Sequence, residues 1–409
     1  MTEQLVAIHP EGYSSNSCVY CQKSSSDSSV TVGMYPSRMS CLFYQAIIDR
    51  GWVRSGEYCY KPDMRRTCCP QYTIRLDVGE FSPSRGQRKA VHRWNRYVSL
   101  GKKNGGSAET SNGANPSKRK KTTTSSSPFS LVKSLHAAEA SSVIENSTTY
   151  RFEVTIEPSS MSDEKFELYS KYQADVHRDF DQTKSKFQAF LVNSPLEYSP
   201  IPYTKEPPDY LPSNYGTYHQ LYHLDGKLIA MSILDILPFC VASTYFIYDT
   251  AYERFSLGTL SALREAALVK EIQEHGAMEM KYLYMGYYVP ASRKMRYKGD
   301  FSPSYLLDPE QYSWHLLKPL VPMFDKYRYV SFANPVHSLE GHDMPVLEPP
   351  PEISDDDASE IWTWYEYDDW KPLKDSVYWE EPSQELTLLR TIEYLGVDLA
   401  KKSSFMFSE

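Results

Sequence analysis

Long hydrophobic runs are missing from this sequence. Its most apolar stretch, Leu228 to Ser243, is broken by Asp235 and Pro238. It falls short of the roughly 18 uninterrupted apolar residues of a spanning helix, so no membrane segment is expected. The opening MTEQLVAIHP lacks the basic flank and apolar core of a secretory leader, and a reducing, cytoplasmic setting is expected. Cysteine is scarce and odd in number, seven in 409 residues, which argues against a disulfide framework and for metal ligation or free thiols. A single sign of charge is missing too. The net charge of −8 conceals eleven Lys/Arg against one acid from Phe81 to Lys121, and eleven acids against Lys371 and Lys374 from Pro351 to Glu381. The basic block suits a polyanion such as RNA. The acidic block carries Trp362, Trp364, Trp370 and Trp379, which a solvating tail does not need, and it reads as a segment docked on the body, over the basic surface.

What is present divides the chain. Residues 102–130 offer almost nothing to bury and read as a flexible linker. Their KRKK run is a charged spacer or a nuclear-import signal. The expected units are a Cys-rich metal-binding domain (1–100), a basic, Ser-rich linker (101–145), an acyltransferase-like domain (146–335) and the acidic, Trp-containing segment (336–409). In the first unit, Ser40 caps a short helix that closes at Gly51, WVRSGEYCYKP is a hairpin around Ser55-Gly56, and Tyr72 to Val78 alternate as a half-buried strand. In the third, TTYRFEVTIEP is a strand, followed by a helix over about Asp163 to Phe180. Two strands then meet at Asp225-Gly226, a third spans Cys240 to Tyr248, a helix runs from Ser256 to Glu274, and KYLYMGYYV closes the series. The fold class is α+β, with a mixed, mainly antiparallel sheet.

Cys18 and Cys21 form a CxxC, and Cys68-Cys69 supply two further thiols. Four thiolates suit zinc or an iron–sulfur cluster. The adjacent pair departs from a zinc-knuckle spacing, so buried free cysteines remain the alternative, with Cys41 and Cys59 as reserve ligands. Cys240, in a strand, reads as a small core residue.

The blocks CVYC, DRGWVRSGEYCYKP and TCCPQYTIRL resemble the N-terminal domain of eukaryotic arginyl-tRNA protein transferases. YHLDGKLIAMSILDILP, STYFIYD, FSLGTLSALREAAL and MGYYVPASRKMRYKGDFSPSYLL resemble that family's C-terminal domain, in the same order. The resemblance implies a GNAT-like catalytic domain that moves arginine from its tRNA to the α-amine of proteins beginning with Asp, Glu or oxidised Cys. The product is an N-degron for ubiquitin-dependent degradation. It also implies a metal site at Cys18, Cys21, Cys68 and Cys69, either zinc or iron–sulfur, and no nucleotide cofactor. Expected partners are arginyl-tRNA, proteins with acidic N-termini, and ubiquitin-ligase or arginyl-tRNA synthetase machinery. The protein is expected to be a monomer, off the membrane, cytoplasmic and also nuclear.

The donor ester is already activated, so such an enzyme must align two substrates and remove a proton from an amine of pKa about 7.7–8.0. Asp249, at a strand end before a helix, is a candidate for steering the amine, and Tyr218, His219 and Gln220 for lining the same cleft. The basic loop of Arg293, Lys294, Arg296 and Lys298 suits an acceptor carboxylate or the tRNA 3′ end. Arg85, Arg88, Lys89, Arg93 and Arg96 recur at helical spacing and form a phosphate-attracting face. An acetyl-CoA-dependent N-acetyltransferase shares the fold class, but its pyrophosphate turn is absent: Arg254-Phe-Ser-Leu-Gly258-Thr holds one glycine. A non-catalytic RNA-binding adaptor is the second rival.

Overall fold

A computed structural model describes residues 5–21, 27–101, 129–143, 149–341, 343–365, 369–376 and 381–407. The KRKK run and Trp379 lie outside the described residues. The N-terminal segment contributes β1 (Val6–Asn16), β2 (Ser29–Pro36), β3 (Met39–Ser40), α1 (Cys41–Ile48), β4 (Val53–Ser55), β5 (Tyr58–Pro62), β6 (Tyr72–Asp77) and α2 (Arg85–Leu100). Next come α3 (Leu131–Val143), β7 (Phe152–Pro158), α4 (Asp163–Tyr172), α5 (Lys184–Phe187), β8 (Leu196–Glu197), β9 (Ser199–Pro200), β10 (Asn214–Leu224), β11 (Lys227–Ile236) and β12 (Cys240–Tyr248). They are followed by α6 (Leu257–Glu274), β13 (Tyr282–Tyr288), α7 (Arg293–Arg296), β14 (Ser304–Leu307), β15 (Trp314–Leu316) and α8 (Leu317–Leu320). The last segment holds α9 (Asp355–Glu360), β16 (Trp362–Tyr365), β17 (Asp369–Pro372), α10 (Pro382–Leu395), α11 (Val397–Ala400) and β18 (Ser403–Phe405).

The fold is mixed α+β. The larger sheet runs β15-β14-β6-β13-β12-β11-β10-β7, with β9 on β10, a second runs β17-β16-β18-β1-β2-β5-β4, and β3 pairs with β8. Local chemistry sets the turns. Ser40 accepts the Phe43 amide and starts α1, while Asp225 and Gly226, at φ 52° and 78°, make the tight β10–β11 turn that needs two positive values. The Ser55-Gly56 hairpin turns on Gly56 and Glu57, since Ser55 faces Tyr58 across β4 and β5.

Three expectations change against this structure. First, β6 does not belong to a separate N-terminal module. It lies between β13 and β14 of the larger sheet, where Thr73 is buried like Tyr72 while Arg75 and Asp77 on the same face keep the partial exposure expected of them. The first hundred residues therefore pair four strands among themselves, β1-β2-β5-β4, and lend β6 to the larger sheet. Second, the helix from Asp163 ends its regular turns at Tyr172 and widens over 173–177. Arg178 then turns left-handed at φ 61°, leaving Phe180 exposed. Third, the acidic segment is docked as expected, but the described contacts that hold it are β-pairings at the edge of a sheet: β18 pairs in parallel with β1, and β16 with β18.

Candidate active site and metal centre

β12 and β13 are parallel neighbours only over Cys240–Ala242 and Tyr282–Tyr284. Beyond that they part, β12 staying with β11 and β13 with β6. Gly286 lets β13 bend away: it adopts φ 63°, a conformation that favours glycine, at a register shift against β6. The wedge so opened continues into a cavity of ≈ 560 Å³ under the start of α6, lined by Ser243, Thr244, Tyr245, Phe246, Tyr248, Leu257, Ser261, Glu265, Met285, Lys294 and Lys298 among others.

Glu265 is its most unusual group. The carboxylate is buried, and its Oε1 accepts Ser261 Oγ at 2.6 Å and Ser232 Oγ at 3.1 Å. It forms no ion pair with any described cation. Burial pushes it above the usual carboxylate range, and the serine hydroxyls only partly offset this. Lys298 is half-buried and donates to the Tyr287 carbonyl at 2.9 Å. Loss of water pulls its ammonium down to about 8, with Glu265 acting in the opposite direction. Arg293, Lys294 and Arg296 lie exposed on α7, and Lys294 also reaches the cavity.

The other expected site residues do not share this cleft. Asp249 receives the Ala251 amide at 3.1 Å and the Lys227 ammonium at 2.9 Å, with Lys171 at 3.5 Å. Burial alone would raise its carboxyl, but these donors outweigh it and hold it below the usual range. His219 is fully buried between Lys165 Nζ and the Leu191 carbonyl, and burial lowers it to about 4. Neighbours on a strand face opposite ways, so Tyr218 and Gln220 project from the other face. Tyr218 donates to the Asn214 carbonyl, and Gln220 accepts from Tyr222. None of these four lines the wedge.

The basic helix meets the wedge at its rim. On α2 the residues Gln87, Ala90, Val91, Trp94 and Val98 are buried, while Arg85, Arg88, Lys89, Arg93 and Arg96 are exposed. Trp94 sits edge-on to Phe152 and Phe255, centroids 5.1 and 5.3 Å away. Its burial supplies about 3 kcal/mol and anchors the helix so that Arg93 Nη2 reaches Ser256 Oγ at 3.1 Å, where α6 begins.

The sulfurs of Cys18, Cys21, Cys68 and Cys69 all lie within 4.8 Å of one another, and Cys21 Sγ is 3.4 Å from Cys68 Sγ. Ser28 brings the pairs together, its hydroxyl accepting the Cys18 amide and its carbonyl the Cys68 amide. A tetrahedral zinc site with 2.3 Å bonds places sulfurs ~3.8 Å apart, so this donor set fits a thiolate-bound metal. Burial and the neighbouring thiols push Cys68 up to about 12, a cost that a bound cation would remove. Cys41 and Cys59 are buried elsewhere and do not join the group, and Cys240 packs in the core against Gln45. The cluster rests on Tyr287, Val289 and Met295, and Met295 also lines the wedge.

Sequence alone does not single out Glu265, because in SALREAAL it stands beside Arg264 as one more charged residue of a helix. An acid four residues from Ser261, on the packed side of a helix, was the available signal.

Residues 16–89 match the family model for the arginine-tRNA-protein transferase N terminus, and residues 164–308 that for its C terminus. The chain is 30% identical to an arginyl-tRNA–protein transferase 1 of Drosophila melanogaster, covering 78% of this chain and 84% of that protein. It is 28% identical to an arginyl-tRNA–protein transferase 2 of Arabidopsis thaliana, covering 79% and 77%. A more distant relative, 26% identical, is an aspartate/glutamate leucyltransferase of Methylobacillus flagellatus, covering 64% and 73%.

Proposed function

Because this chain belongs to the arginine-tRNA-protein transferase family, and so transfers arginine from its tRNA to proteins, we propose that the wedge between β12 and β13 receives the arginyl end of the tRNA and that Glu265 reads the guanidinium. The observation carrying this reading is a buried carboxylate that faces a cavity without an ion-paired cation. A guanidinium supplies the missing charge and can bond both oxygens. The α2 face, joined to the start of α6 by Arg93 and Ser256, holds phosphates of the acceptor stem. In the reaction the acceptor α-amine forms a bond to the arginyl carbonyl carbon as the ribose ester C–O bond breaks. The amine loses a proton and the ribose oxygen gains one. Lys298, near pKa 8, matches the amine in proton affinity and relays that proton.

The acceptors are proteins beginning with an acidic residue or oxidised Cys, consistent with the aspartate/glutamate leucyltransferase name of a relative. Their arginylation creates a degron for ubiquitin ligases. The splayed parallel pair under a helix supports a GNAT-like catalytic unit over about 146–335, and the cytoplasm and nucleus are its proposed locations. Cys18, Cys21, Cys68 and Cys69 would hold zinc or an iron–sulfur cluster, which when bound cross-links the CVYC turn to the Cys68-Cys69 segment.

The test is transfer of labelled arginine from arginyl-tRNA to an Asp-starting peptide. Glu265→Gln should lower kcat/KM by roughly ten- to a hundred-fold, the size of a lost charge-assisted pair, with uncharged tRNA binding intact. Undiminished transfer by this variant would remove Glu265 from donor recognition.

A further inference from the structure

A second cavity, ≈ 360 Å³, lies among the turn after α1, the end of β5, the start of β6, the loop before β15, and α10. Two cations converge there on one ring: Arg50 Cζ stands 4.3 Å and Lys61 Nζ 4.4 Å from the centroid of Tyr312. Lys61 is only 7% exposed, and it donates to the Tyr312 hydroxyl at 2.9 Å and the Tyr394 carbonyl at 3.4 Å. Arg50 Nε is buried with no hydrogen-bond partner. Neither cation forms an ion pair with any described carboxylate. The acids Glu310 and Glu393 at the cavity wall are already bound to His337 and Arg390. Two unneutralised cations against one ring, Lys61 nearly sealed from water and Arg50 half-buried, are unfavourable unless an anion joins them.

Asp63 gives the cavity its opposite sign. It follows Lys61 by two residues at the end of an extended strand, so both side chains face one way, roughly 6–7 Å apart along the chain. Its oxygens accept the Arg65 and Arg66 amides and the Tyr13 hydroxyl, and no described cation pairs with it. A cation pair beside a carboxylate suits a ligand carrying an ammonium and an acid group a few bonds apart. The volume suits one or two residues. One residue links this cavity to the wedge: the Tyr287 carbonyl accepts Lys298, which lines the wedge, and the Tyr287 hydroxyl donates to the carbonyl of Gly51, which lines the second cavity, at 3.0 Å.

Resting on the arginyl-transfer reading, we propose that this cavity seats the first residue of the acceptor protein. The acidic side chain, a carboxylate or the sulfinate or sulfonate of oxidised Cys, binds Arg50 and Lys61, and the α-ammonium binds Asp63. Lys61 supports this in another way, since burial pulls its ammonium below the usual lysine range, a cost an entering anion offsets.

The experiment uses the full-length, metal-retaining protein, saturating arginyl-tRNA, and peptides that begin with Asp, Asn or cysteate and are otherwise identical. Arg50→Gln and Lys61→Gln should each raise KM for the Asp and cysteate peptides by about ten- to a hundred-fold. They should erase the preference for Asp over Asn and leave arginyl-tRNA affinity within about two-fold. Lys61→Arg should restore most of the preference, and Asp63→Asn should weaken all three peptides alike. If Lys61→Gln fails to fold, Arg50→Gln and Asp63→Asn still decide. Retention of the Asp-over-Asn preference in Arg50→Gln overturns the proposal. A cysteate peptide unaffected while the Asp peptide weakens restricts the site to carboxylates. Calorimetry of the Asp peptide on the wild type and on Arg50→Gln, without tRNA, separates the two readings. Binding sensitive to Arg50 without any arginine transfer supports this seat and sinks the transfer reading, whereas transfer with an Arg50-independent preference sinks the seat alone.

Discussion

Arg54 and Asp235 form a two-pronged ion pair between β4 of one sheet and β11 of the other, Nη2 to Oδ1 at 2.6 Å and Nε to Oδ2 at 2.8 Å. Both side chains are sealed from solvent. Thr217 donates to Asp235 at 2.7 Å, and Arg54 Nη1 donates to the Gly56 carbonyl, so the pair carries its own polar surround. Burial disfavours the guanidinium, yet the neighbouring carboxylate more than compensates and raises its proton affinity.

Breaking that pair from one side strands a charge. Asp235→Asn or Arg54→Gln should therefore lose about 3–5 kcal/mol in urea denaturation, while Arg54→Met with Asp235→Leu should recover much of it. A loss below about 1 kcal/mol in the single variants would mean that water enters the site.

Thiolate ligation couples metal to folding. Serine at Cys18, Cys21, Cys68 or Cys69 should reduce bound metal, measured by elemental analysis, and lower the melting temperature, whereas Cys240→Ser should retain the metal. Full metal content in the Cys68/Cys69 double variant would contradict the four-thiol site.

Reversing Arg88, Lys89 and Arg93 to Glu should raise the tRNA dissociation constant and make its logarithmic salt slope shallower by about 2, near 0.7–0.9 per lost phosphate contact. Equal slopes for variant and wild type would move the tRNA off α2.

His136 gives a pH signature. Glu139 and then Glu271 hold its proton, raising it from the ordinary 6.5 to about 9. A folded value above the unfolded one stabilises fully below pH 6.5, and that contribution is lost as pH rises towards 9. It amounts to on the order of 2–3 kcal/mol for this partly covered ring. Wild type should weaken across that window relative to His136→Gln in denaturant titrations at matched pH, and parallel curves would show that the proton is not held.

Local patterns predicted local structure well. Cys240 to Tyr248 is a strand as its alternation and flanking Pro238 require, and the Asp225-Gly226 turn follows from backbone sterics alone. The CxxC and Cys-Cys pairs carried their chemistry openly. Alternation in Tyr72 to Val78 predicted a strand but not its neighbours, because pairing of β6 with β13 is decided two hundred residues away. Glu265, Arg50 and Lys61 were illegible for the same reason: each is an ordinary helix, turn or strand residue until tertiary packing removes its water.

The parallel pairing of β1 with β18 sets Val6 beside Ser403 and Ile8 beside Phe405. On the ribosome β1 emerges early yet waits for almost the whole chain before that edge is covered. Until then it is an open edge able to recruit another chain's strand. A truncated transcript or a fragment cut before residue 403 keeps that edge open for good, so aggregation rather than partial activity is the fate to expect of C-terminally shortened products.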